Sequence, residues 1–143
     1  MPEIAPSSDE KRPSEQGRKR KCDLEARLVE LAMRIAEIVE LLPNTRLGNH
    51  VAGQLIKSGT SPAPNYAEAQ GAESRSDFIH KLSVVLKEPR ETRVWLLIIQ
   101  RKGMLRRADL VESTLAETNE LIAILISSRG TARKNMEKEA KGC

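Results

Sequence analysis

Apolar residues recur at alternating spacings of four and three along residues 24–42. This first stripe consists of Leu24, Leu28, Leu31, Ile35, Ile38 and Leu42. Because an α-helix has 3.6 residues per turn, the spacing places these side chains on one face and predicts an amphipathic helix. Asp23 is a natural N-cap for this helix, and Pro43 marks its end.

A second pattern begins at Asn44 or Thr45 and, by local rules, ends near Ser58, because a glycine and two prolines follow. Its apolar residues are Leu47, Val51, Leu55 and Ile56. The third pattern runs from about Ser74 to Lys102 and carries Pro89 on its apolar stripe. A kink is predicted there rather than a break, since the apolar register continues on both sides of the proline.

A fourth pattern follows Gly103 and runs from Leu110 to Leu125. Short connections join the first helix to the second and the third to the fourth. Antiparallel neighbours joined in this way predict an all-α fold, an up-down-up-down four-helix bundle.

Composition agrees with this fold and bounds the function. Aromatic residues make up 2% of the 143 residues, too few for a typical β-sandwich or barrel core. The two cysteines, Cys22 and Cys143, lie near the chain ends and offer neither a disulfide framework nor paired metal ligands. The longest apolar runs, 94–99 and 121–126, are far short of a membrane span, so we expect a cytoplasmic protein with no membrane partner.

Basic charge is concentrated at the two ends of the chain. Residues 1–21 hold six of the 24 basic and four of the 20 acidic residues, and residues 129–143 hold five and two. Residues 22–128 are left with 13 basic and 14 acidic residues. Both ends lack apolar periodicity, so we predict a disordered basic arm over 1–21 and a disordered tail over 129–143, flanking a bundle over 22–128.

The runs 94–99 and 121–126 are apolar on all sides, whereas a helix in a small bundle buries only one side. The extra apolar surface predicts subunit contacts, with simple core packing as the alternative. The predicted subunit interface consists of Val94, Trp95, Leu97 and Ile98.

Two basic clusters are candidates for binding nucleic acid through its phosphates, without reading the bases. The first lies where the third pattern meets the fourth, and the alternative is that its cations only suit the negative end of a helix dipole. It consists of Arg101, Lys102, Arg106 and Arg107. The second, in the N-terminal arm, consists of Arg18, Lys19, Arg20 and Lys21.

Candidate chemistry is sparse. Asp77 and His80 have the spacing of half a di-iron site, but the other histidine, His50, has no acidic residue at the equivalent spacing. We therefore expect no catalytic residues, metal or cofactor. Asn65 and Glu68 form a polar pair with the spacing of a helix cap, and the alternative is that they bond across the bundle or a subunit interface. We interpret the pair as structural in either case.

Five segments of the chain resemble a known family, over residues 40–128. They are 42–46 (LPNTR), 54–69 (QLIKSGTSPAPNYAEA), 72–82 (AESRSDFIHKL), 90–92 (RET) and 95–96 (WL). They are similar to the bacterial four-helix bundle proteins encoded by intervening sequences within large-subunit ribosomal RNA genes. A related protein is the accessory variability determinant of diversity-generating retroelements, which binds nucleic acid and a reverse transcriptase.

The resemblance implies a cyclic homo-oligomer, a pentamer, whose subunits have a second helix that continues through the prolines, with residues 59–64 as its weak point. Pro89 and the basic arm depart from the family pattern. The expected function is a non-enzymatic, RNA-associated scaffold or accessory protein. Its candidate partners are further copies of itself, RNA or DNA, and a reverse transcriptase or other protein. Two alternatives are a protein-interaction scaffold without a nucleic-acid role and, more remotely, a bundle that binds a metal or small molecule.

Overall fold

The protein is described by a computed structural model that covers the backbone of residues 15–142 and the side chains of residues 24–142. Within this described part the structure is all helical, with no strand. The helices are α1 (Glu15–Leu41), α2 (Arg46–Thr60), α3 (Pro62–Gln70), α4 (Arg75–Lys102) and α5 (Ala108–Lys141). α2 and α3 follow one another along one side of the bundle, and we call them together the α2–α3 arm. Counted as one unit, they make the fold consistent with the predicted four-helix bundle.

The helices surround one hydrophobic core. α1 packs against the α2–α3 arm and α5, and α4 packs against the same two elements from the other side. α1 and α4 do not contact each other within the described residues, so they lie diagonally across the bundle. The Arg27–Glu117 and Arg107–Glu37 contacts show that α5 runs antiparallel to α1.

The first apolar stripe forms the centre of this core. Of its six side chains, five are buried, and Leu42 is partly buried at the edge of the core. In the second pattern Val51 and Leu55 are buried, but Leu47 is 42% exposed. Leu47 lies in the first turn of α2, at the end of the bundle, where Leu41 is also exposed. The apolar pattern of the helix therefore extends beyond the end of the hydrophobic core.

The α2–α3 arm continues through its prolines. α2 ends at Thr60 and α3 begins at Pro62, while Ser61 between them keeps helical backbone angles, with φ −71° and ψ −37°. The backbone N–H of Asn65 donates to the Ser61 carbonyl at 3.2 Å. The local rule that ended this helix near Ser58 is therefore wrong, because a proline in the first turn of a helix lacks only an N–H that the turn does not use.

α4 is a single helix that contains Pro89, so the proline does not break it. One turn later, the buried Thr92 hydroxyl lies 3.0 Å from the Glu88 carbonyl and donates to the Ser58 hydroxyl at 2.9 Å. This buried polar contact connects α4 to α2 beside the proline.

The C-terminal end of α5 differs from the sequence-based expectation. The helix continues to Lys141, through most of the 129–143 segment predicted to be a disordered tail. Ala132 is 5% exposed, and Arg75 at the start of α4 forms an ion pair with Glu139 at 2.6 Å. The segment has few large apolar residues, but it docks through a small side chain and a charge pair that the sequence pattern does not reveal.

The N-terminal boundary also differs. α1 begins at Glu15, so the backbone is helical over the last part of the predicted arm 1–21. The rest of the predicted arm, residues 1–14, lies outside the described residues. The helix that carries the first apolar stripe therefore starts two turns earlier than Asp23.

Candidate nucleic-acid interface

The joint between α4 and α5 is a short, firmly closed turn. Gly103 has a left-handed backbone with φ 64° and ψ 43°, and its N–H donates to the Gln100 carbonyl at 3.2 Å. The Met104 N–H donates to the Ile99 carbonyl at 3.1 Å, which completes the cap of α4. Leu105 is 9% exposed and anchors the turn in the core, so the polar side chains on either side of it face solvent.

The four basic side chains predicted at this joint are all exposed. Arg107 already has acidic partners, because its guanidinium forms ion pairs with Glu37 at 3.0 Å and Asp109 at 3.5 Å. The other three have no hydrogen bond or ion pair with any residue in the described range. We call these three the joint cluster: Arg101, Lys102 and Arg106.

The helix dipole explains part of this cluster. Arg101 and Lys102 occupy the last turn of α4, where the negative end of a helix dipole favours cations. Arg106 lies two residues before α5, whose positive N-terminal end disfavours a cation. Its position therefore has no explanation in helix stability alone.

A further basic cluster escaped the sequence analysis. Arg129 of α5 lies where the charges of Arg90 of α4 and Arg133 of α5 both act on it, and the Arg129 guanidinium donates to the Ser83 hydroxyl at 3.3 Å. Burial, followed by the charges of Arg133 and Arg90, lowers the pKa of Arg129. We call Arg90, Arg129 and Arg133 the tail cluster.

The arm cluster of Arg18, Lys19, Arg20 and Lys21 lies within the first turns of α1. Its side chains are outside the described residues, so it remains a prediction.

The predicted subunit interface divides into two parts. Val94 is 48% exposed, and Leu97 and Ile98 are half-buried, so these three lie on the outer surface of α4. Trp95 instead faces α2, where its ring stands edge-on to His50 with ring centroids 5.7 Å apart. The Trp95 indole N–H donates to Glu91 at 3.2 Å.

The polar pair Asn65 and Glu68 does not form the predicted cap. Both residues lie inside α3, whose N-cap residue is Ser61. Neither side chain has a hydrogen bond within the described part of the chain, so the alternative of a bond across the bundle is not observed there either.

A cleft of about 1060 Å³ opens at the opposite end of the bundle from the joint, between α1, α3, α4 and α5. On its wall Tyr66 accepts a hydrogen bond from Gln70, and burial raises the pKa of the Tyr66 phenol. Among residues 24–142, no three histidine, cysteine or acidic side chains are grouped so that they could hold a metal. None of the described helices is both long and apolar enough to cross a membrane.

Comparisons with known proteins place this geometry in a family. The family model for the 23S rRNA-intervening sequence protein matches residues 20–127. A crystal structure of a protein of unknown function from the S23 ribosomal protein family, from Bacteroides thetaiotaomicron, is 35% identical, with a TM-score of 0.68. The match covers 74% of this chain and 97% of that one. No curated protein matches. Since the family model spans most of the sequence, the chain belongs to the 23S rRNA-intervening sequence protein family.

Proposed function

We propose that this protein is a non-enzymatic, homo-oligomeric scaffold of the cytoplasm that binds RNA through its phosphates at the joint cluster. The proposal depends on one observation: three exposed cations lie together without a partner among the described residues. Helix-dipole stabilisation accounts for two of them but not for Arg106.

The chemistry of the joint cluster fits a phosphate backbone rather than bases. Guanidinium and ammonium groups bind phosphate oxygens by charge-assisted hydrogen bonds, and the joint has no aromatic side chain for stacking. Binding should therefore tolerate many sequences and weaken as salt increases. In a homo-oligomer the cluster would be repeated, so several weak contacts could act on one RNA.

The test compares two double variants with the same loss of charge. Lys102→Ala with Arg106→Ala removes two joint cations and leaves Arg101 and Arg107 in place. Lys57→Ala with Lys138→Ala removes two exposed cations from other parts of the surface. Binding of a structured ribosomal RNA fragment would be measured for each protein over a series of salt concentrations.

The joint variant should bind more weakly and lose about 0.7–0.9 from the salt slope for each lost phosphate contact, whereas the control should resemble the wild type. An equal loss in both variants would show that only overall charge matters, and would contradict the proposed site. The absence of RNA binding by the wild type would refute the RNA role.

That last outcome would favour the second candidate, a protein-interaction scaffold without a nucleic-acid role. One observation supports it: large apolar side chains are exposed on α1, α2, α4 and α5, including Met33 at 63% and Val94 at 48%. Exposed apolar surface of this kind marks protein contacts. Its candidate partner would be a reverse transcriptase or another protein.

A further inference from the structure

The side of α1 that faces away from the core combines an apolar centre with acidic ends. Val29 is 46% exposed and Met33 is 63% exposed. Glu25 and Glu40 flank them on the same side, about 22 Å apart at 1.5 Å per residue. Neither glutamate has an ion-pair partner among the described residues. We call these four residues the α1 outer face.

The outward side of α4 also has an apolar centre, but the residues at its two ends are basic instead of acidic. Val94, Leu97 and Ile98 line a shallow groove of about 440 Å³. Lys87 and Arg101 flank it, about 21 Å apart along the helix. Spacings of seven, three and four residues connect Lys87 to Arg101 through Val94 and Leu97, which places them on one stripe of the helix. We call these five residues the α4 outer face.

The bundle directs the two outer faces away from each other. α1 and α4 lie on a diagonal, so their outward sides are on opposite surfaces of the subunit. Both helices run antiparallel to α5, and therefore parallel to each other. The ion pair between Arg107 of the joint and Glu37 shows that α1 and α4 finish at the same end of the bundle. The acidic and basic positions on the two faces are thus at similar heights.

We infer that the α1 outer face of one copy packs against the α4 outer face of the next copy. The apolar centres then cover each other, while Glu25 lies opposite Lys87 and Glu40 lies opposite Arg101. This contact joins two different surfaces, so it repeats head to tail from copy to copy, and it closes a ring only where each copy is rotated by a constant angle relative to the last. The inference rests on the proposed homo-oligomer and names the two surfaces that build it.

The contact also divides the joint cluster by role. Arg101 and Lys102 line the groove of the subunit interface, whereas Arg106 lies outside it and remains at the end of the bundle for phosphate. A variant with Arg106→Ala alone should therefore lose RNA affinity without losing assembly. The proposed RNA binding and the proposed subunit interface can therefore be refuted independently of each other.

The test uses one disrupted face in each of two full-length variants, Met33→Glu and Val94→Glu. Both side chains are exposed, so the helical content of each variant, measured by circular dichroism, should stay at the wild-type value. Light scattering after size exclusion should give each variant the mass of one chain, 15.9 kDa. An equimolar mixture should form a heterodimer, because each variant supplies the face that the other lacks. Ile126→Glu, at an exposed position of α5, is the control and should assemble like the wild type.

Two results would overturn the interface: either variant keeps the assembled mass, or both become monomers that do not dimerise when mixed. A monomeric wild type would overturn the homo-oligomer and the interface together, whatever the RNA measurement shows. Charge reversal gives an independent readout. Lys87→Glu should weaken assembly at low salt, and Glu25→Lys in the same chain should restore it, whereas failure to restore it would contradict the predicted pairing.

Discussion

Gly59 occupies a position where α2 approaches α1 too closely for any side chain. A Cβ atom built there would lie 2.5 Å from Cγ2 and 2.7 Å from Cγ1 of Ile35, which is fully buried. Gly53 is one and a half turns earlier in the same helix, and a Cβ there would meet nothing within 4 Å. Alanine at these two positions therefore gives a matched pair of variants.

The two substitutions should change the free energy of unfolding in opposite directions. Replacing glycine by alanine inside a helix stabilises it by about 1 kcal/mol, and Gly53→Ala should show this gain. Gly59→Ala has the same gain, but the methyl group must displace packed core atoms, which costs about 1–3 kcal/mol. The difference between the two variants measures this packing strain, since the helix-propensity gain is common to both.

Urea unfolding followed by circular dichroism gives both free energies. Ile35→Ala alone should destabilise the protein by about 2–5 kcal/mol, because it leaves a cavity in the core. Combined with Gly59→Ala, it should cost less than the sum of the two single changes, since the new methyl group enters the vacated space. If Gly59→Ala is as stable as Gly53→Ala, or if the double variant is additive, the close contact between α1 and α2 is wrong.

Two further predictions concern the C-terminal end of α5 and the single tyrosine. Ending the chain after residue 128 removes the buried Ala132 and the Arg75–Glu139 pair, and should lower the free energy of unfolding by about 1–2 kcal/mol. An unchanged urea midpoint would contradict the docked helix end. Because burial raises the pKa of Tyr66, tyrosinate absorbance should titrate above about pH 10 in the folded protein and near 10 in urea. The unfolded chain ionises first, so stability should be lost as pH rises past about 10, whereas equal midpoints would refute the buried phenol.

The first apolar stripe could be read from sequence because its signal is local. A buried helix face repeats every three or four residues whatever the rest of the fold does, and Leu28, Ile35 and Ile38 are fully buried as that rule requires. The same rule fails at Leu47, because periodicity indicates which side of a helix is apolar but not where the bundle ends.

The helix boundaries depend on tertiary contacts, which sequence rules based on neighbouring residues do not describe. The end predicted near Ser58 ignored the packing of Pro62 and Tyr66, both buried, which holds the arm together beyond the prolines. At the other end of the chain, Ala132 and the pair Arg75–Glu139 dock a segment whose composition resembles a disordered tail. Tertiary packing outweighs propensity in both places.

The candidate site was predicted in part. The joint cluster was evident because its residues are close in sequence, but one of the two acids that pair with Arg107 is Glu37, which lies 70 residues away. The tail cluster needed both a helical end of α5 and its antiparallel packing on α4, since Arg90 and Arg129 belong to different helices. Charge clusters within one segment can be read from sequence, whereas charge pairs between helices require the fold.

Net charge alone would miss how the folded subunit presents its charges. Residues 22–128 are close to neutral overall, but the folded subunit separates their charges. Among the described residues, glutamates without an ion-pair partner lie on the outside of α1, and cations without such a partner lie on the outside of α4. Pairing two α4 outer faces antiparallel would bring Lys87 opposite Arg101, and pairing two α1 outer faces would bring Glu25 opposite Glu40. Like charges in these positions oppose symmetric dimers, whereas opposite charges favour the α1–α4 contact. For the proposed homo-oligomer, the placement of charge therefore favours a head-to-tail contact over a closed pair, even though the apolar centres alone would permit either.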